Sequence, residues 1–257
     1  EEREIFTRKN LISVYGTSAG AIVLLIWLLE INKEDIFSYV INKPWNKTFK
    51  IEPKIISNLI NKKGVIDIKF MEVMLESLIK SKSLNMDITL KDFFKVSKIE
   101  FNIIATDAET LDMVCFNHKT DPDLSLIEAV YMSSSIPAIM QPLYYKNKCI
   151  IDGFLSYNYP LFPCITSGGD KNEILGIRIK RDFNTVIKSD TNILSYIYIL
   201  MRQIVKKLNS TNSNKIKREI IINITQEIEI ENILTNKEVR KDMLDNGINS
   251  CKVYLEN

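Results

Sequence analysis

One short stretch, Gly16-Thr17-Ser18-Ala19-Gly20, constrains the fold of this chain more than any other. It follows a strand-like run from Leu11 to Tyr15 and opens a continuously apolar, helix-like segment. A G-x-S-x-G sequence at a strand-to-helix junction is typical of a sharp turn that exposes a serine hydroxyl. The alternative is an ordinary loop serine that caps a helix. The pattern favours an α/β unit in which Ser18 is a candidate nucleophile.

Two of the eight glycines among the 257 residues flank Ser18. We expect Gly16 and Gly20 to let the strand and the helix pack closely around a strained bend. The helix would point its N-terminal amide groups, that of Ala19 among them, toward the serine oxygen. The segment from Ala21 to Leu29 is apolar on every side and too short to cross a membrane, which is typical of an enclosed helix.

The choice of base for Ser18 is limited by a single histidine, His118, which lies in a polar, turn-like segment. Ser-His-Asp hydrolases of the α/β type need a histidine late in the chain, and none follows His118. Asp152 is a second candidate, because it ends a short apolar strand and precedes Gly153, where the backbone must turn. An Asx turn that only shapes the loop would also account for Asp152. The residues alone therefore favour a solvated loop position for His118 and make Asp152 the candidate base.

Several blocks of the chain, taken in order, resemble the patatin-like phospholipases, which are serine acyl hydrolases with a Ser-Asp dyad. The matching blocks are Gly16-Thr17-Ser18-Ala19-Gly20 with Ala21-Ile22-Val23, Ile103-Ile104-Ala105-Thr106-Asp107, Ser133-Ser134-Ser135-Ile136-Pro137 with Gln141-Pro142-Leu143, Ile151-Asp152-Gly153-Phe154, and Asn158-Tyr159-Pro160-Leu161. The resemblance implies a three-layer α/β/α sandwich with a largely parallel central sheet. It also implies that Ser18 attacks an acyl ester, that Asp152 takes its proton, and that an acyl-enzyme forms. Burial of Asp152 beside the elbow would raise the pKa of its carboxyl group.

The chain departs from the family pattern at two places. Phe154 stands where the family has Gly or Ala, so we expect a bulkier turn beyond the acid. The family's first strand and glycine-rich oxyanion loop have no counterpart before Glu1-Glu2, which leaves the Ala19 N–H as a single oxyanion donor. A catalytically weak or inactive member that binds lipid or a protein partner is the alternative to a lipid acyl hydrolase. The histidine count disfavours a third class, an esterase or protease with an ordinary triad.

Length and composition predict one globular domain over residues 1–257, with 46% hydrophobic and 26% charged residues. The net charge of +2 gives no reason to expect a nucleic-acid partner. Four scattered cysteines and a charged first segment favour a cytoplasmic protein with reduced thiols and no signal peptide. Neither a metal nor another cofactor is expected, because no residue cluster has zinc or calcium spacing.

A basic segment from Lys43 to Lys63 carries six lysines and one glutamate, with Trp45 and Phe49 among them. Such a segment is compatible with peripheral contact with an anionic membrane, but a solvated cap over the active site is the favoured interpretation. A second basic cluster, Lys206-Lys207 with Lys215 to Arg218, brackets a polar loop. The expected partners are a phospholipid or other acyl lipid and a peripheral membrane surface. A protein activator, known for some relatives, leaves no recognisable signal.

Strand-like and helix-like runs alternate along the chain, which predicts an α/β fold. The predicted strands are Leu11–Tyr15, Phe101–Ala105, Met113–Phe116, Cys149–Ile151, Ile174–Lys180 and Glu219–Ile224. The predicted helices are Ala19–Ile31, Lys33–Ile41, Ile66–Lys82, Leu124–Met132, Ile193–Leu208 and Lys237–Leu255.

Overall fold

The computed structural model describes residues 6–48, 55–181, 186–208, 216–225, 228 and 230–256. Its strands are β1 (Ser13–Thr17), β2 (Gly64–Ile66), β3 (Glu100–Asp107), β4 (Met113–Phe116), β5 (Ala138–Met140), β6 (Leu143–Tyr145), β7 (Lys148–Asp152), β8 (Leu175–Arg181) and β9 (Arg218–Ile224). Its α-helices are α1 (Ala19–Leu28), α2 (Lys33–Asn42), α3 (Trp45–Thr48), α4 (Ile55–Lys62), α5 (Lys69–Lys80), α6 (Leu90–Ser97), α7 (Leu126–Ser133), α8 (Phe154–Tyr157), α9 (Leu161–Thr166), α10 (Ile193–Leu208), α11 (Ile230–Thr235) and α12 (Lys237–Glu256). The mixed α/β fold predicted from the sequence is confirmed.

The chain forms two compact units. The first comprises Glu1–Glu30 and Ile51–Pro160, and the second comprises Ile31–Lys50 and Leu161–Asn257. The first unit holds the five-stranded sheet and both candidate catalytic residues. The expectation of one domain over residues 1–257 stays a prediction.

Strand β3 is the centre of the five-stranded sheet. It pairs in parallel with β1 and antiparallel with β4 and β7, and β6 pairs with β7. A largely parallel central sheet was expected, and within the five-stranded sheet the β1–β3 pair is parallel while the other three pairs are antiparallel. The two separate two-stranded sheets, β2–β5 and β8–β9, are both parallel.

Short connections, which cannot make a parallel crossover, explain the antiparallel β3–β4 and β6–β7 pairs. Residues 108–147 separate β3 from β7, so their antiparallel pairing has a different origin. Lys146 and Asn147 between β6 and β7 both have positive φ angles, of 50° and 61°, as a primed two-residue hairpin turn requires.

The register of β3 brings the candidate site together. Thr17 at the end of β1 lies opposite Ile104, and Asp152 at the end of β7 lies opposite Ala105, the next residue of β3. Ile104 and Ala105 are fully buried, and the apolar run of β3 matches a strand that is covered on both faces. Two consecutive residues of one buried strand therefore align Asp152 with Ser18, the residue that follows β1.

Helix α1 ends earlier than predicted. It stops at Leu28 rather than at Ile31, because Glu30 has a positive φ angle of 52°, the left-handed conformation that commonly ends a helix. The Arg8 guanidinium donates hydrogen bonds to the carbonyl oxygens of Trp27 and Leu28, at 3.3 and 2.8 Å. This side chain thus satisfies carbonyl groups that a helix end leaves without intrahelical partners. The expectation of an enclosed helix was wrong for one face, since Val23 is exposed.

Helix α5 begins later than predicted, at Lys69 instead of Ile66. Residues Gly64–Ile66 form strand β2 and pair with β5, a partner distant in sequence that local periodicity cannot indicate. A Cβ atom on Gly64 would lie 2.3 Å from the Met140 carbonyl carbon, so this pairing requires glycine.

The second unit contains the parallel β8–β9 pair, with α12 packed against β9 and α2. Arg240 of α12 is buried and donates hydrogen bonds to the carbonyl oxygens of Ile41 and Ile233, at 2.7 and 2.6 Å. The sequence predicted β8, β9, α10 and α12 to within one residue at each end.

The basic segment from Lys43 to Lys63 is only partly described, because residues 49–54 lie outside the described ranges. At its start the Lys43 ammonium lies 4.6 Å from the ring centre of Tyr39 and 5.2 Å from that of Trp45. The second basic cluster is also partial, since residues 209–215 lie outside the described ranges. No described helix combines the length and the apolar character that crossing a bilayer requires.

Candidate active site

Ser18 occupies a strained turn between β1 and α1. Its φ and ψ angles are 53° and −125°, outside the regions that L-residues ordinarily adopt. Its carbonyl oxygen accepts hydrogen bonds from the N–H groups of Ala21 and Ile22, at 2.9 and 3.2 Å. The first turn of α1 therefore holds the serine in this conformation.

The two glycines of the motif have different environments. A Cβ atom on Gly16 would lie 2.8 Å from both the Cα and the backbone nitrogen of Ala21, so the close approach of β1 and α1 requires glycine there. A Cβ atom on Gly20 would meet no atom within 4 Å. The close packing expected at Gly20 is therefore absent within the described residues, because the first turn of α1 faces open space.

Asp152 is the hydrogen-bond partner of Ser18. The Ser18 hydroxyl donates to Asp152 Oδ2 at 2.6 Å, and the Phe154 N–H donates to Oδ1 at 2.8 Å. The loop-shaping contact considered for Asp152 is thus present together with the serine contact. Asp152 is fully buried, and a Cβ atom on Gly153 would lie 2.3 Å from the Ile104 carbonyl oxygen. Glycine after the acid is required for this tight packing.

Burial dominates the electrostatics of Asp152. It raises the pKa of the carboxyl group to about 7, against the smaller opposing effects of the hydrogen bonds from Ser18 and Phe154. The cause is the cost of placing a carboxylate where water cannot solvate it. A base whose pKa lies near the ambient pH is well suited to take and return a proton.

Ser133, at the end of α7, links the turn to the central strand. Its fully buried hydroxyl accepts the Ser18 N–H at 2.9 Å and donates to the Ile104 carbonyl oxygen at 2.5 Å. Its own carbonyl oxygen accepts the Gly153 N–H at 3.2 Å. Sequence reasoning matched this serine to a family block but gave it no role. Three consecutive serines after a buried apolar helix were the available signal.

The Thr-Asp pair that ends β3 has divided roles. The Thr106 hydroxyl donates to the Asp152 carbonyl oxygen at 2.9 Å and lies 2.9 Å from the Ser156 hydroxyl. Asp107 instead pairs with Lys148 at 2.8 Å, and this contact lowers the pKa of the Asp107 carboxyl. Thr106 therefore supports the backbone of the acid, whereas Asp107 stabilises the start of β7.

His118 has a different environment from the one a triad needs. Its imidazole stacks on the Phe94 ring, with the ring centres 3.7 Å apart and the planes within 5°. Burial lowers the pKa of His118. The Ser18 hydroxyl bonds to Asp152, so the structure brings together the serine and the aspartate rather than the serine and this histidine.

Comparison with known proteins gives three findings. A family model described as patatin-like phospholipase matches residues 7–165. The probable lipid hydrolase 463L of Invertebrate iridescent virus 6 is 24% identical over 165 residues, which make up 64% of this chain and 57% of the viral protein. Among solved structures, VipD from Legionella pneumophila superposes with a TM-score of 0.53 and 18% identity, over 96% of this chain and 61% of VipD. The chain thus spans less than two thirds of the length of both relatives.

Proposed function

The chain belongs to the patatin-like phospholipase family, and we propose that it is a lipid acyl hydrolase that cleaves fatty-acyl esters with Ser18 and Asp152. One observation carries the proposal: the 2.6 Å hydrogen bond from the Ser18 hydroxyl, on a strained strand-to-helix turn, to a buried carboxylate. A nucleophile within hydrogen-bond reach of an oriented base is the arrangement that covalent catalysis requires.

The first half-reaction acylates the serine. Asp152 accepts the hydroxyl proton of Ser18 while Ser18 Oγ attacks the carbonyl carbon of the ester. The tetrahedral intermediate collapses, the bond to the alcohol oxygen breaks, and the leaving alcohol takes the proton from Asp152. The products of this step are the free alcohol and an acyl ester on Ser18.

The second half-reaction releases the fatty acid. Asp152 takes a proton from a water molecule, and the water oxygen attacks the carbonyl carbon of the acyl-enzyme. Collapse of the second intermediate breaks the bond to Ser18 Oγ, which recovers the proton from Asp152. The same carboxylate serves both steps, and its raised pKa suits it to alternate between the two protonation states.

The negative charge on the carbonyl oxygen needs hydrogen-bond donors. The Ser18 N–H already donates to Ser133, so it does not serve as one. The Ala19 N–H begins α1, where a helix offers no intrahelical acceptor, and the helix dipole adds a favourable field. We assign Ala19 as an oxyanion donor. Removal of one such donor typically costs about 2.7–4 kcal/mol of transition-state stabilisation.

Phe154 is compatible with Asp152 as the base, although the family has a small residue at the position of Phe154. Its backbone N–H donates to Asp152 Oδ1, and its side chain is buried. The residue therefore helps to orient the acid, whatever the size of its side chain.

The proposed substrate is a phospholipid or another acyl lipid, met at a peripheral membrane surface in the cytoplasm. Family membership and the name of the viral relative, a probable lipid hydrolase, support this class of substrate. A protein activator is a possible further partner to which no described feature assigns a site.

The test measures fatty-acid release from mixed phospholipid vesicles and hydrolysis of a soluble short-chain ester. Ser18→Ala and Asp152→Asn are each expected to lower both rates by roughly 10³-fold or more. Asp121→Asn is the matched control, because Asp121 is another buried aspartate but bonds to Tyr145 and Lys146 instead. Activity that survives Ser18→Ala would contradict the proposal. Lipid binding without turnover by the wild-type chain would favour the alternative of a binding module.

A further inference from the structure

The short helix α8 follows the proposed catalytic acid and helps to orient it. It comprises four residues, Phe154–Tyr157, and the Phe154 N–H at its start donates to Asp152 Oδ1. A single helical turn has too few internal hydrogen bonds to be stable by itself. Contacts with other elements must therefore hold α8, and with it the Asp152 carboxylate, in place.

Thr17 of β1 holds the end of α8. Its hydroxyl donates at 2.7 Å to the carbonyl oxygen of Tyr157, a group that the helix end leaves without an intrahelical partner. Its methyl group covers the start of the helix, because a Cβ atom on Gly153 would lie 2.9 Å from Thr17 Cγ2. Thr17 is buried and directly precedes Ser18. One side chain therefore joins the strand of the nucleophile to the helix of the acid.

Thr106 of β3 holds the acid itself and the middle of α8. Its fully buried hydroxyl donates to the Asp152 carbonyl oxygen at 2.9 Å and lies 2.9 Å from the Ser156 hydroxyl. A carbonyl oxygen only accepts and a hydroxyl has one proton, so the Thr106 proton faces Asp152 and Ser156 donates to Thr106. Thr106 thus joins β3 to the backbone of the acid and to a side chain of α8.

The two threonines act from one face of the sheet. Thr17 lies opposite Ile104 in the parallel β1–β3 pair, and Thr106 follows Ile104 by two residues, which places both threonines on the same face. A purely structural role is the alternative, in which each hydroxyl only satisfies a buried carbonyl oxygen. The placement of the bonds favours a further role, because each one fastens the segment that carries the acid to a strand of the nucleophile's sheet.

We propose that Thr17 and Thr106 are positioning residues of the proposed reaction. Together with Ser156 they hold α8 on β1 and β3, and they thereby keep Asp152 Oδ2 within hydrogen-bond reach of Ser18 Oγ. They act through α8 rather than on the substrate. This inference rests on the proposed function in that it takes Ser18 and Asp152 as the reacting pair. Misplacement of a reacting group by about 1 Å can lower a rate by roughly 10²-fold.

The test compares valine and serine substitutions in hydrolysis of the soluble short-chain ester. Thr17→Val and Thr106→Val keep the branched shape and remove the hydroxyl, whereas Thr17→Ser and Thr106→Ser keep the hydroxyl. Each valine variant should lower kcat by roughly tenfold to 100-fold and change KM little, because the substrate still binds but the base is misplaced. Each serine variant should recover most of the lost kcat. Valine variants with the wild-type kcat would overturn the proposal, as would serine variants no faster than the valine variants.

Ser97→Ala is the matched control, because Ser97 is another buried residue whose hydroxyl donates to a backbone carbonyl oxygen, that of Ile99 at 3.1 Å. Ser97 precedes the start of β3, whereas β7 pairs with the end of that strand. This variant should lose stability in urea unfolding, as the valine variants do, but keep the wild-type kcat. An equal loss of kcat in Ser97→Ala would show that lower stability alone explains the effect, and the proposal would be wrong.

The pH dependence of kcat is a readout that a loss of stability alone would not move. Asp152 must be deprotonated to accept the Ser18 proton, so kcat should rise with pH through the raised pKa of Asp152. Release of α8 would admit water to the carboxylate and lower this pKa, so the rise should lie at a lower pH in both valine variants. An unchanged midpoint in both variants would contradict the proposal.

Carbon-13 NMR of labelled aspartate separates this inference from the proposed function, because it follows the titration of Asp152 without turnover. Asp152→Asn identifies the signal. A wild-type chain that hydrolyses neither substrate would refute the proposed activity, and a lower Asp152 pKa in the valine variants would still support the positioning role. An Asp152 pKa that neither valine substitution changes would overturn that role.

Circular dichroism checks that each variant is folded. If a valine variant does not fold, Ser156→Ala takes its place, because Ser156 is half-buried and its hydroxyl contacts Thr106. Ser156→Ala should lower kcat and the Asp152 pKa in the same direction as the valine variants, by a smaller amount. Wild-type values of both quantities in Ser156→Ala would then overturn the proposal.

Discussion

The burial of Asp152 predicts that the proposed catalytic base destabilises the protein at neutral pH. Replacing Asp152 by Asn removes the ionisable group and keeps the geometry. The Asn Oδ1 can still accept the Phe154 N–H, and its amide nitrogen can donate to the Ser18 hydroxyl. The perturbation therefore isolates the cost of a buried carboxylate.

The pKa fixes both the sign and the size of the effect. The carboxyl pKa rises from an ordinary 3.8 to about 7 in the folded protein, so the folded state holds the proton more tightly than the unfolded state. Below about pH 4 the group is protonated in both states. As the pH rises from about 4 to about 7, the free energy of unfolding of the wild type falls, by an upper limit of about 4 kcal/mol. The free energy of unfolding of Asp152→Asn does not fall in this way, because the variant has no ionisable group at position 152.

Urea unfolding at a series of pH values between about 4 and 8 measures the effect. The stability of Asp152→Asn relative to the wild type should grow through this range and level off above about pH 7, where the variant is inactive but more stable. Asp107→Asn is the control of opposite sign, since its hydrogen bond with Lys148 lowers the pKa of Asp107 and stabilises the folded state. A stability difference for Asp152→Asn that does not change with pH would refute the argument.

Two further substitutions test the packing of the turn. Gly16→Ala should destabilise the protein, because its Cβ would lie 2.8 Å from the Ala21 backbone. Gly20→Ala should stabilise the protein by about 0.5–1 kcal/mol, because its Cβ would meet no neighbouring atom, so the two variants should shift the melting temperature in opposite directions. Ser133→Ala leaves the Ser18 N–H and the buried Ile104 carbonyl without their partner, so it should cost about 1–3 kcal/mol in urea unfolding and lower kcat more than it changes KM. Unchanged stability and kcat would show that Ser133 holds neither group.

The sequence predicted the elements whose signals are local. Strand β4 and helix α10 have the predicted bounds, because apolar content and periodicity alone define them. Helix α6 was not predicted, although Thr89 caps its first turn by accepting the Asp92 N–H, which is also a local signal. The hydrogen bond from Arg8 to the end of α1 had no local signal, because it joins residues twenty positions apart in the chain.

For the candidate site too, the sequence indicated the features with local signals and missed those that depend on distant contacts. The G-x-S-x-G motif and the strand-end aspartate are visible in the sequence, and the family resemblance paired them. The hydrogen bonds of Ser133 to Ser18 and to Ile104 join three elements that are far apart in sequence, so no local pattern indicates them. The pKa of Asp152 is likewise a property of the assembled core, since burial is its main cause.

The register of β3 also has a consequence for folding. The bond between Ser18 and Asp152 closes a loop of 134 residues, and both side chains depend on pairing with adjacent residues of one strand. Closing a loop of this size is an entropic cost that only a formed sheet can offset, and contacts so distant in sequence form slowly. During refolding, the proposed hydrolytic activity can therefore return no earlier than the docking of β7 on β3. The rate at which activity recovers would therefore report the rate of β7 docking on β3.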